Sequence, residues 1–288
     1  MIYTQILVNS ILLGGMYAAV AVGFSLVWGV MNILNILHGT FLMLGGYVSF
    51  WLFHFYGVDP FLSLPLSAIA MFCLGYLIQL CIVNQVIRAA FFMTLVLTFG
   101  LELIGVKLAL FFWTGDYRSI QTAYAGHSFE IAGVVIPLIR LSLFGLGLVL
   151  TGGLFWFMAA TRTGRAIRAT RIDLEAAQLM GVNPAKIYAT TYGLSAGLAG
   201  AAGALVSAGF AISPVTDIEF LAKSFVICVI GGLGNITGAL AGGLVLGLVE
   251  NFGALYFGPG LQNALGYGVL LLVLFIRPSG LMGKAGYH

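Results

Sequence analysis

Long runs without a charged residue constrain the fold of this chain more than any other feature of its sequence. No Asp, Glu, Lys or Arg occurs in five runs, which are 1–58, 60–87, 187–216, 224–249 and 251–276. An apolar helix needs about 20 residues to cross about 30 Å of hydrocarbon, so each run is long enough, or nearly so, for a crossing. The runs lack the alternation of apolar and polar residues that a β-barrel requires. Helices therefore have to satisfy the backbone.

The composition excludes an ordinary soluble protein. Of the 288 residues, 61% are hydrophobic and 7% are charged, whereas soluble domains carry about 25% charged residues. We expect an all-α fold, a polytopic membrane helix bundle of about 8–10 spans, with residues 1–288 forming a single transmembrane domain. No basic segment precedes the first apolar run, which is longer than that of a signal peptide, so we interpret it as a span.

Charges and turn residues set the expected boundaries of the spans. The predicted spans are 5–30, a second run ending near 56, 60–87, 89–113, 135–160, 188–210 and 262–276. The span at 188–210 is rich in Gly and Ala, which favours a central position in the bundle. Glycines at 231–238 separate two apolar segments, 220–230 and 239–249, and this pattern predicts a broken or re-entrant helix near 220–250.

The distribution of basic residues predicts the topology. Cytoplasmic loops are enriched in Lys and Arg, so Arg88, the arginines of 162–171, Arg277 and Lys284 should lie on the cytoplasmic side. This requires nine crossings and an external N-terminus if segment 220–230 crosses, and eight or ten if it re-enters or the first run is broken. The polar segment 114–134 is then an external loop, and 161–187 is a cytoplasmic loop.

The loop 161–187 combines basic residues with signals for helix ends. Gly181 suits the position that follows a helix, Asn183 suits an N-cap, and Pro184 suits the first turn of the next helix. These residues predict a helix, a sharp stop and a new helix. From the residues alone two functions stay open, namely a solvated loop whose arginines only set topology, or a docking surface for a partner.

Three uncharged polar residues follow the first span. Asn32, Asn35 and His38 are spaced by three, so a helix would place them on one face. Amides and an imidazole are costly against lipid and should face protein, water or a ligand. Hydrogen bonds between helices and a place in a translocation pathway are both compatible with this pattern.

The motifs that carry catalysis or nucleotide binding are missing from the sequence. Residues 193–197 fit G-x-S-x-G, but they lie in a small-residue membrane helix and not after a strand. There is no H-E-x-x-H and no G-x-x-x-x-G-K-[ST], and the glycines at 232–238 miss the dinucleotide spacing. Three cysteines inside predicted spans form no metal set. We predict no catalytic residues, no metal site, no cofactor on this chain and no nucleic-acid partner.

Four blocks of the sequence resemble a known family. Residues 175–181, EAAQLMG, match the EAA-x3-G signature of ABC importer permeases. Residues 35–39 with 45–47, residues 231–239 with 242–243, and residues 277–281 resemble the branched-chain amino-acid permease family more narrowly. The similarity spans almost the whole chain, and the length fits the shorter of the family's two permease subunits.

The resemblance implies a coupling helix that seats in a groove of a separate ATPase subunit. The residues to which it assigns ATPase coupling are Arg165, Arg168, Asp173, Glu175, Ala176, Ala177 and Gly181. We add a candidate translocation pathway, because bare amides and the ends of broken helices can bind a zwitterion. Its residues are Asn35, His38, Gly232, Asn235 and Thr237.

The resemblance also implies partners and a location. They are a second homologous permease, two cytoplasmic ATPase subunits that bind ATP and Mg, and an external or periplasmic solute-binding protein. The chain would cross the bacterial cytoplasmic (inner) membrane several times, in contact with its lipid. The implied cargo is leucine, isoleucine, valine or a related hydrophobic amino acid, and relatives with similar blocks carry urea, short amides or aromatic acids.

Two other function classes make different predictions. A stand-alone channel or ion-driven carrier should contain paired intramembrane acids. Glu102 and Glu250 are its candidates, and the sequence indicates no clear partner for either. An intramembrane enzyme would need Ser195 as a nucleophile, which the surrounding small-residue helix disfavours.

Overall fold

A computed structural model describes residues 2–87, 91–122, 124, 126–131 and 133–283. The predicted helix start at 89, Arg88 and Lys284 lie outside these residues. The α-helices are α1 (Ile2–Met31), α2 (His38–Tyr56), α3 (Pro60–Ile78), α4 (Asn84–Val86), α5 (Phe91–Trp113), α6 (Leu138–Ala160), α7 (Arg162–Ile172), α8 (Leu174–Leu179), α9 (Pro184–Gly209), α10 (Thr216–Gly231), α11 (Ile236–Phe257) and α12 (Gln262–Ile276). A π-helical turn (Gln79–Val83), a 3-10 turn (Pro259–Leu261) and strands β1 (Ser128–Ile131) and β2 (Val134–Pro137) complete the described elements.

Most of the long helices are apolar enough to cross a membrane. By length and composition, six helical segments qualify: α1, Pro60–Val86, α5, α6, α11 and Pro259–Ile276. Helices α2, α9 and α10 have 19, 26 and 16 residues and bury much of their length inside the bundle. The chain is therefore a multi-pass helical membrane protein, as predicted, while the number of eight to ten crossings stays a prediction.

Helix α9 lies at the centre of the bundle, because its small residues let other backbones approach. It packs against α1, α2 and α3. A Cβ on Gly203 would overlap the carbonyl oxygen of Leu42 on α2. Ala196 and Ala199 are fully buried. The prediction of a central small-residue helix at 188–210 is confirmed.

The predicted break between 220 and 250 is a tight turn that joins α10 to α11. Gly232 has φ +107°, a conformation that L side chains rarely adopt, so α10 cannot continue. After the turn α11 packs back along α10, with Gly242 against the carbonyl oxygen of Ile227. Both helices extend beyond the predicted segments, α10 starting at Thr216 and α11 ending at Phe257.

The prediction that Asn32, Asn35 and His38 share one helix face is wrong. Residues 32–35 are not helical, and Asn32 adopts φ +52°, which ends α1. Asparagine tolerates the left-handed region better than most residues, which makes it a suitable stop. The chain then turns back into the bundle. There, Nε2 of His38 lies 2.9 Å from the carbonyl oxygen of Val20. Helix α2 thus begins beside the middle of α1.

A short antiparallel hairpin replaces the predicted start of the fifth span. Residues 135–137 belong to β2, which pairs with β1, and α6 begins only at Leu138. Pro137 precedes α6 in an extended conformation. The side chain of Gln5 fixes the strand, since it donates to the carbonyl of Val135 and accepts from its N–H. The predicted external loop therefore packs on the N-terminal end of α1.

Candidate functional site

The loop that follows α6 is a compact pair of helices with a cap at each start. Thr161 Oγ1 accepts from the N–H of Gly164, and Asp173 Oδ1 accepts from the N–H of Ala176 over 3.0 Å. Asp173 is extended, so it divides the predicted single helix into α7 and α8. Gly181 has φ +83°, and Asn183 caps α9 by accepting from the N–H of Lys186. The predicted stop and restart are confirmed.

Two arginines of the predicted coupling set bind the end of α6. Nη1 of Arg165 donates to the carbonyl of Ala160 over 3.0 Å, and Nη2 of Arg168 donates to that of Ala159 over 3.4 Å. The last carbonyls of a helix have no partner within the helix, and cations near them are stabilising. Both arginines therefore fasten α7 to α6, and any contact with a partner would be additional.

The α7–α8 pair presents an apolar tip to solvent. Ile167 and Ala177 point into the protein and are buried. Ile172, Leu179 and Met180 are 82%, 89% and 85% exposed. Glu175 and Ala176 are also exposed. An exposed apolar cluster on a polar loop is typical of a surface that a partner covers, and we call Ile172, Leu179 and Met180 the α8 tip.

Two of the predicted pathway residues lie together inside the bundle. Asn35 Oδ1 accepts from the hydroxyl of Tyr192 on α9 over 2.8 Å, and His38 contacts Val20 as described. Both side chains are almost fully buried. Among the described residues, neither Nδ2 of Asn35 nor Nδ1 of His38 has a hydrogen-bond partner. These two polar atoms are therefore buried without a partner in the described part of the chain, and an ordered water is the partner that such buried groups commonly have.

The other three pathway residues form a separate structural turn. Asn235 Oδ1 accepts from the N–H and the hydroxyl of Thr237 and from the N–H of Gly238. Its Nδ2 donates to the carbonyl of Met282 over 2.9 Å. Gly232 supplies the positive φ at this turn. Asn235 and Thr237 are thus occupied in starting α11 and holding the C-terminal segment.

The structure contains a buried ionic cluster that our sequence reasoning missed. The hydroxyl of Tyr17 donates to Glu250 Oε2 over 2.6 Å, and Nζ of Lys223 donates to the Tyr17 oxygen over 2.8 Å. Lys223 Nζ also lies 3.2 Å from Glu219 Oε1 and 3.5 Å from Glu250 Oε1. Gln262 Nε2 donates to Glu250 Oε2 over 3.0 Å. We call these five residues the midplane cluster.

The expectation that Glu102 and Glu250 lack partners is wrong. Glu250 belongs to the midplane cluster, and the carboxyl group of Glu102 on α5 lies close to that of Asp217 on α10. One signal was present in the sequence, because Glu219 and Lys223 are four residues apart and face each other on a helix. The contacts to Tyr17 and Glu250 join distant parts of the chain and leave no local pattern.

A small cavity adjoins the midplane cluster. Its lining includes the polar residues Lys223, Glu250, Asn263 and Tyr267, together with apolar residues of α10 and α11. Within the described part of the chain, no group of three or more His, Cys, Asp or Glu residues could hold a metal ion. The cavity measures about 10 Å³, which is room for about one water molecule beside Lys223 and Glu250.

Comparison with known proteins gives consistent matches over nearly the whole chain. The profile of the family described as "Branched-chain amino acid transport system / permease component" matches residues 6–276. The permease protein BraD of Pseudomonas aeruginosa, of a high-affinity branched-chain amino acid transport system, is 32% identical over 98% of this chain and 96% of its own length.

Two permease proteins of Salmonella typhimurium are also similar to the chain. LivH is 26% identical over 98% of this chain and 96% of its own length. LivM is 28% identical over 92% of this chain and 67% of its own length. Both names assign these relatives to a high-affinity branched-chain amino acid transport system. No solved structure matches.

Proposed function

The chain belongs to the family of branched-chain amino acid transport permease components, and on that premise we propose that it is the shorter permease subunit of an ABC importer. Its cargo is a branched-chain or related hydrophobic amino acid. As a transport permease it is not itself an enzyme, and two ATPase subunits on its cytoplasmic side bind ATP and Mg and hydrolyse the ATP. A solute-binding protein delivers the cargo from outside the cytoplasmic membrane.

The single observation that carries the coupling part of this proposal is the exposed α8 tip. Leu179 and Met180 are almost fully exposed although the rest of the loop is polar and well capped. A groove on an ATPase subunit would bury these side chains, and each buried aliphatic side chain contributes about 1.5–3 kcal/mol. Basic residues that only set the topology would need no such tip. The tip therefore favours docking over a solvated loop.

The same loop can transmit movement to the rest of the bundle. Arg165 and Arg168 fasten α7 to the end of α6, and Asn183 caps α9 directly after the turn at Gly181. Movement of α8 by the closing ATPase dimer would thus reach α6 and the central helix α9. Rigid-body motion of packed helices is an established way to open and close a pathway.

A second permease completes the pathway in this proposal. Salmonella typhimurium has two relatives of the chain, LivH and LivM, whose names place them in the same kind of system. Two homologous permeases can enclose a pathway along their shared interface. Asn35 and His38 stay our candidate pathway residues, and because both are buried inside the bundle, helix movement has to expose them to the cargo.

Reconstitution tests the proposal directly. The chain, its second permease and its ATPases are placed in liposomes, and uptake of labelled L-leucine is measured with the solute-binding protein and with ATP or without it. Uptake that requires both supports the proposal. Uptake without the ATPases would indicate a stand-alone carrier, and competition by urea, short amides or L-phenylalanine but not by L-valine would change the cargo.

A paired substitution tests the docking surface separately. Leu179→Glu places a charge on the α8 tip and should reduce leucine uptake and ATPase stimulation by about tenfold, because it removes an apolar contact and buries a charge. Phe129→Glu is the control, since Phe129 is 54% exposed on the β1–β2 hairpin at the other end of the protein. Equal activity of the two variants would exclude docking through the α8 tip.

A further inference from the structure

The midplane cluster lies at the depth of the hydrocarbon centre. Tyr17 is near the middle of the 30-residue helix α1, and at 1.5 Å per residue it is about 21–22 Å from either end. The hydrocarbon extends only about 15 Å to each side of the bilayer midplane. Lys223 Nζ is 2.8 Å from the Tyr17 hydroxyl. Glu219, one turn earlier on α10, is therefore also inside the membrane layer.

The charges of the cluster do not cancel. Lys223 is the single cation, while Glu219 and Glu250 are both acidic. Glu250 is 1% exposed and accepts from Tyr17 and Gln262 besides pairing with Lys223. Buried charges persist when they are paired and hydrogen-bonded in this way. The cluster thus has one more acidic side chain than basic ones, and Glu219 shares its cation, Lys223, with Glu250.

Glu219 is accessible, and it shares its only cation in the cluster with Glu250. Its side chain is 48% exposed, and its neighbours Val215 and Ile218 are 59% and 61% exposed. A half-exposed carboxylate at this depth is costly against lipid, so such residues face a water-filled path or a partner and mark substrate pathways. This side of α10 therefore faces the pathway, with one carboxylate set among aliphatic side chains.

We propose that Glu219 and Lys223 form a binding station for the zwitterionic head of an aliphatic α-amino acid on its way through the membrane. Glu219 accepts from the ammonium group, Lys223 donates to the carboxylate, and the exposed side chains of Val215 and Ile218 contact the aliphatic part. The inference rests on the proposed function, because it assumes that an amino acid is the cargo.

The hydrogen-bond capacity of Lys223 permits this exchange. A lysine ammonium has three donors, and they now serve Tyr17, Glu250 and Glu219. When Glu219 turns to the substrate ammonium, the third donor is released for the substrate carboxylate. The contacts to Tyr17 and Glu250 hold the lysine in place during the exchange. Both substrate charges are then paired, and no new charge is left unpaired in the membrane interior.

Uptake by reconstituted variants tests the station. Glu219→Gln keeps the size of the side chain but removes its charge, and we expect L-leucine uptake at low substrate concentration to fall by about tenfold or more, as for the loss of a charge-assisted hydrogen bond. Glu219→Asp keeps the carboxylate and should restore most of the uptake. Glu130→Gln makes the same chemical change on the exposed hairpin and is the control. Its L-leucine uptake should equal that of wild type.

Two further measurements separate the possible causes of a loss. ATPase stimulation by the loaded solute-binding protein should persist in Glu219→Gln, because the α8 tip is unchanged. The inference is overturned if Glu219→Gln transports like Glu130→Gln, or if the Gln and Asp variants are equally impaired. If the wild-type complex shows no ATP-dependent leucine uptake, the proposed function itself fails, which is a different result from a variant that equals an active wild type.

Discussion

Tyr17 and Glu250 are 233 positions apart in sequence, yet the tyrosine hydroxyl donates to the glutamate over 2.6 Å. The bond joins α1 to α11 in the interior of the bundle, where Lys223 also donates to the oxygen of Tyr17. A charge-assisted hydrogen bond in such a place is stronger than one at the surface. It holds together the helices that support the station on α10.

Tyr17→Phe should therefore destabilise the protein. The substitution removes one donor to Glu250 and one acceptor from Lys223, and a hydrogen bond to a charged group contributes about 1.5–3 kcal/mol. Unfolding of the purified protein in detergent, followed by circular dichroism, measures the loss. Tyr256→Phe is the matched control, because the Tyr256 hydroxyl is exposed and makes a long hydrogen bond, 3.4 Å, to the hydroxyl of Tyr3. If both variants unfold alike, the midplane cluster does not stabilise the bundle.

Asp173→Ala should weaken coupling by loosening α8. The Asp173 carboxylate caps α8 through the N–H of Ala176, and replacement of an N-cap by alanine costs about 0.5–2 kcal/mol. A helix of six residues has few other bonds to hold it, so ATPase stimulation should fall. Asp173→Asn keeps a good cap and should retain stimulation. An equal loss in the Asn and Ala variants would assign the role to the charge of Asp173 and not to its cap.

Local chemistry explains which parts of the fold could be predicted. Gly181, Asn183 and Pro184 act on their own neighbours, so their turn, cap and helix start follow from the sequence. The same holds for the glycines at 232 and 234, which end α10. The left-handed conformation of Asn32 was not predictable in this way, because a helix through Asn32 and Asn35 has equally good local signals.

Contacts between distant segments explain what the sequence could not show. Glu219 and Lys223 are four residues apart on one helix, so their contact can be predicted locally. The contact of Lys223 with Glu250 forms only when α10, α11 and α1 are packed together. The approach of the Glu102 carboxyl to that of Asp217 likewise joins α5 to α10. The apolar spans show almost no helical periodicity of hydrophobic and polar residues, so they do not reveal which helices are neighbours. The order of the few charged residues does not reveal it either.

Gly181→Ala should impair the loop although no atom lies near the new methyl group. An added Cβ at Gly181 meets nothing within 4 Å, but φ is +83°, and an L residue in the left-handed region costs about 1–2 kcal/mol. ATP-dependent leucine uptake should decrease, and Gly181→Asn should decrease it less, since asparagine tolerates this region. Gly152→Ala, in an open position of α6, should be neutral. If Gly181→Ala is neutral too, the positive φ is not needed for coupling.

The ionisation of Tyr124, in the segment 114–134 that the sequence predicts to be external, should affect stability at high pH. Its hydroxyl donates to Asp59 Oδ2 over 2.8 Å, and burial, followed by the hydrogen bond to Asp59 and its charge, raises the pKa of Tyr124 from 10.0 to about 12. A raised pKa means that folding favours the neutral phenol. This contribution to stability is complete below pH 10 and is lost as the pH rises through about 12. The tyrosinate absorbance of wild type minus that of Tyr124→Phe should therefore show a midpoint near pH 12.

Asp59→Asn should lower that midpoint, because it removes the negative charge beside the phenol. The amide oxygen can still accept from the N–H of Phe61, which the carboxylate now does over 2.8 Å, so the start of α3 should be kept. Asp116→Asn is the control, since Asp116 is exposed in the same segment and accepts from Thr114. An unchanged midpoint in Asp59→Asn would show that burial alone raises the pKa of Tyr124, while a shift in both variants would indicate a general effect of loop charge and not the bond to Asp59.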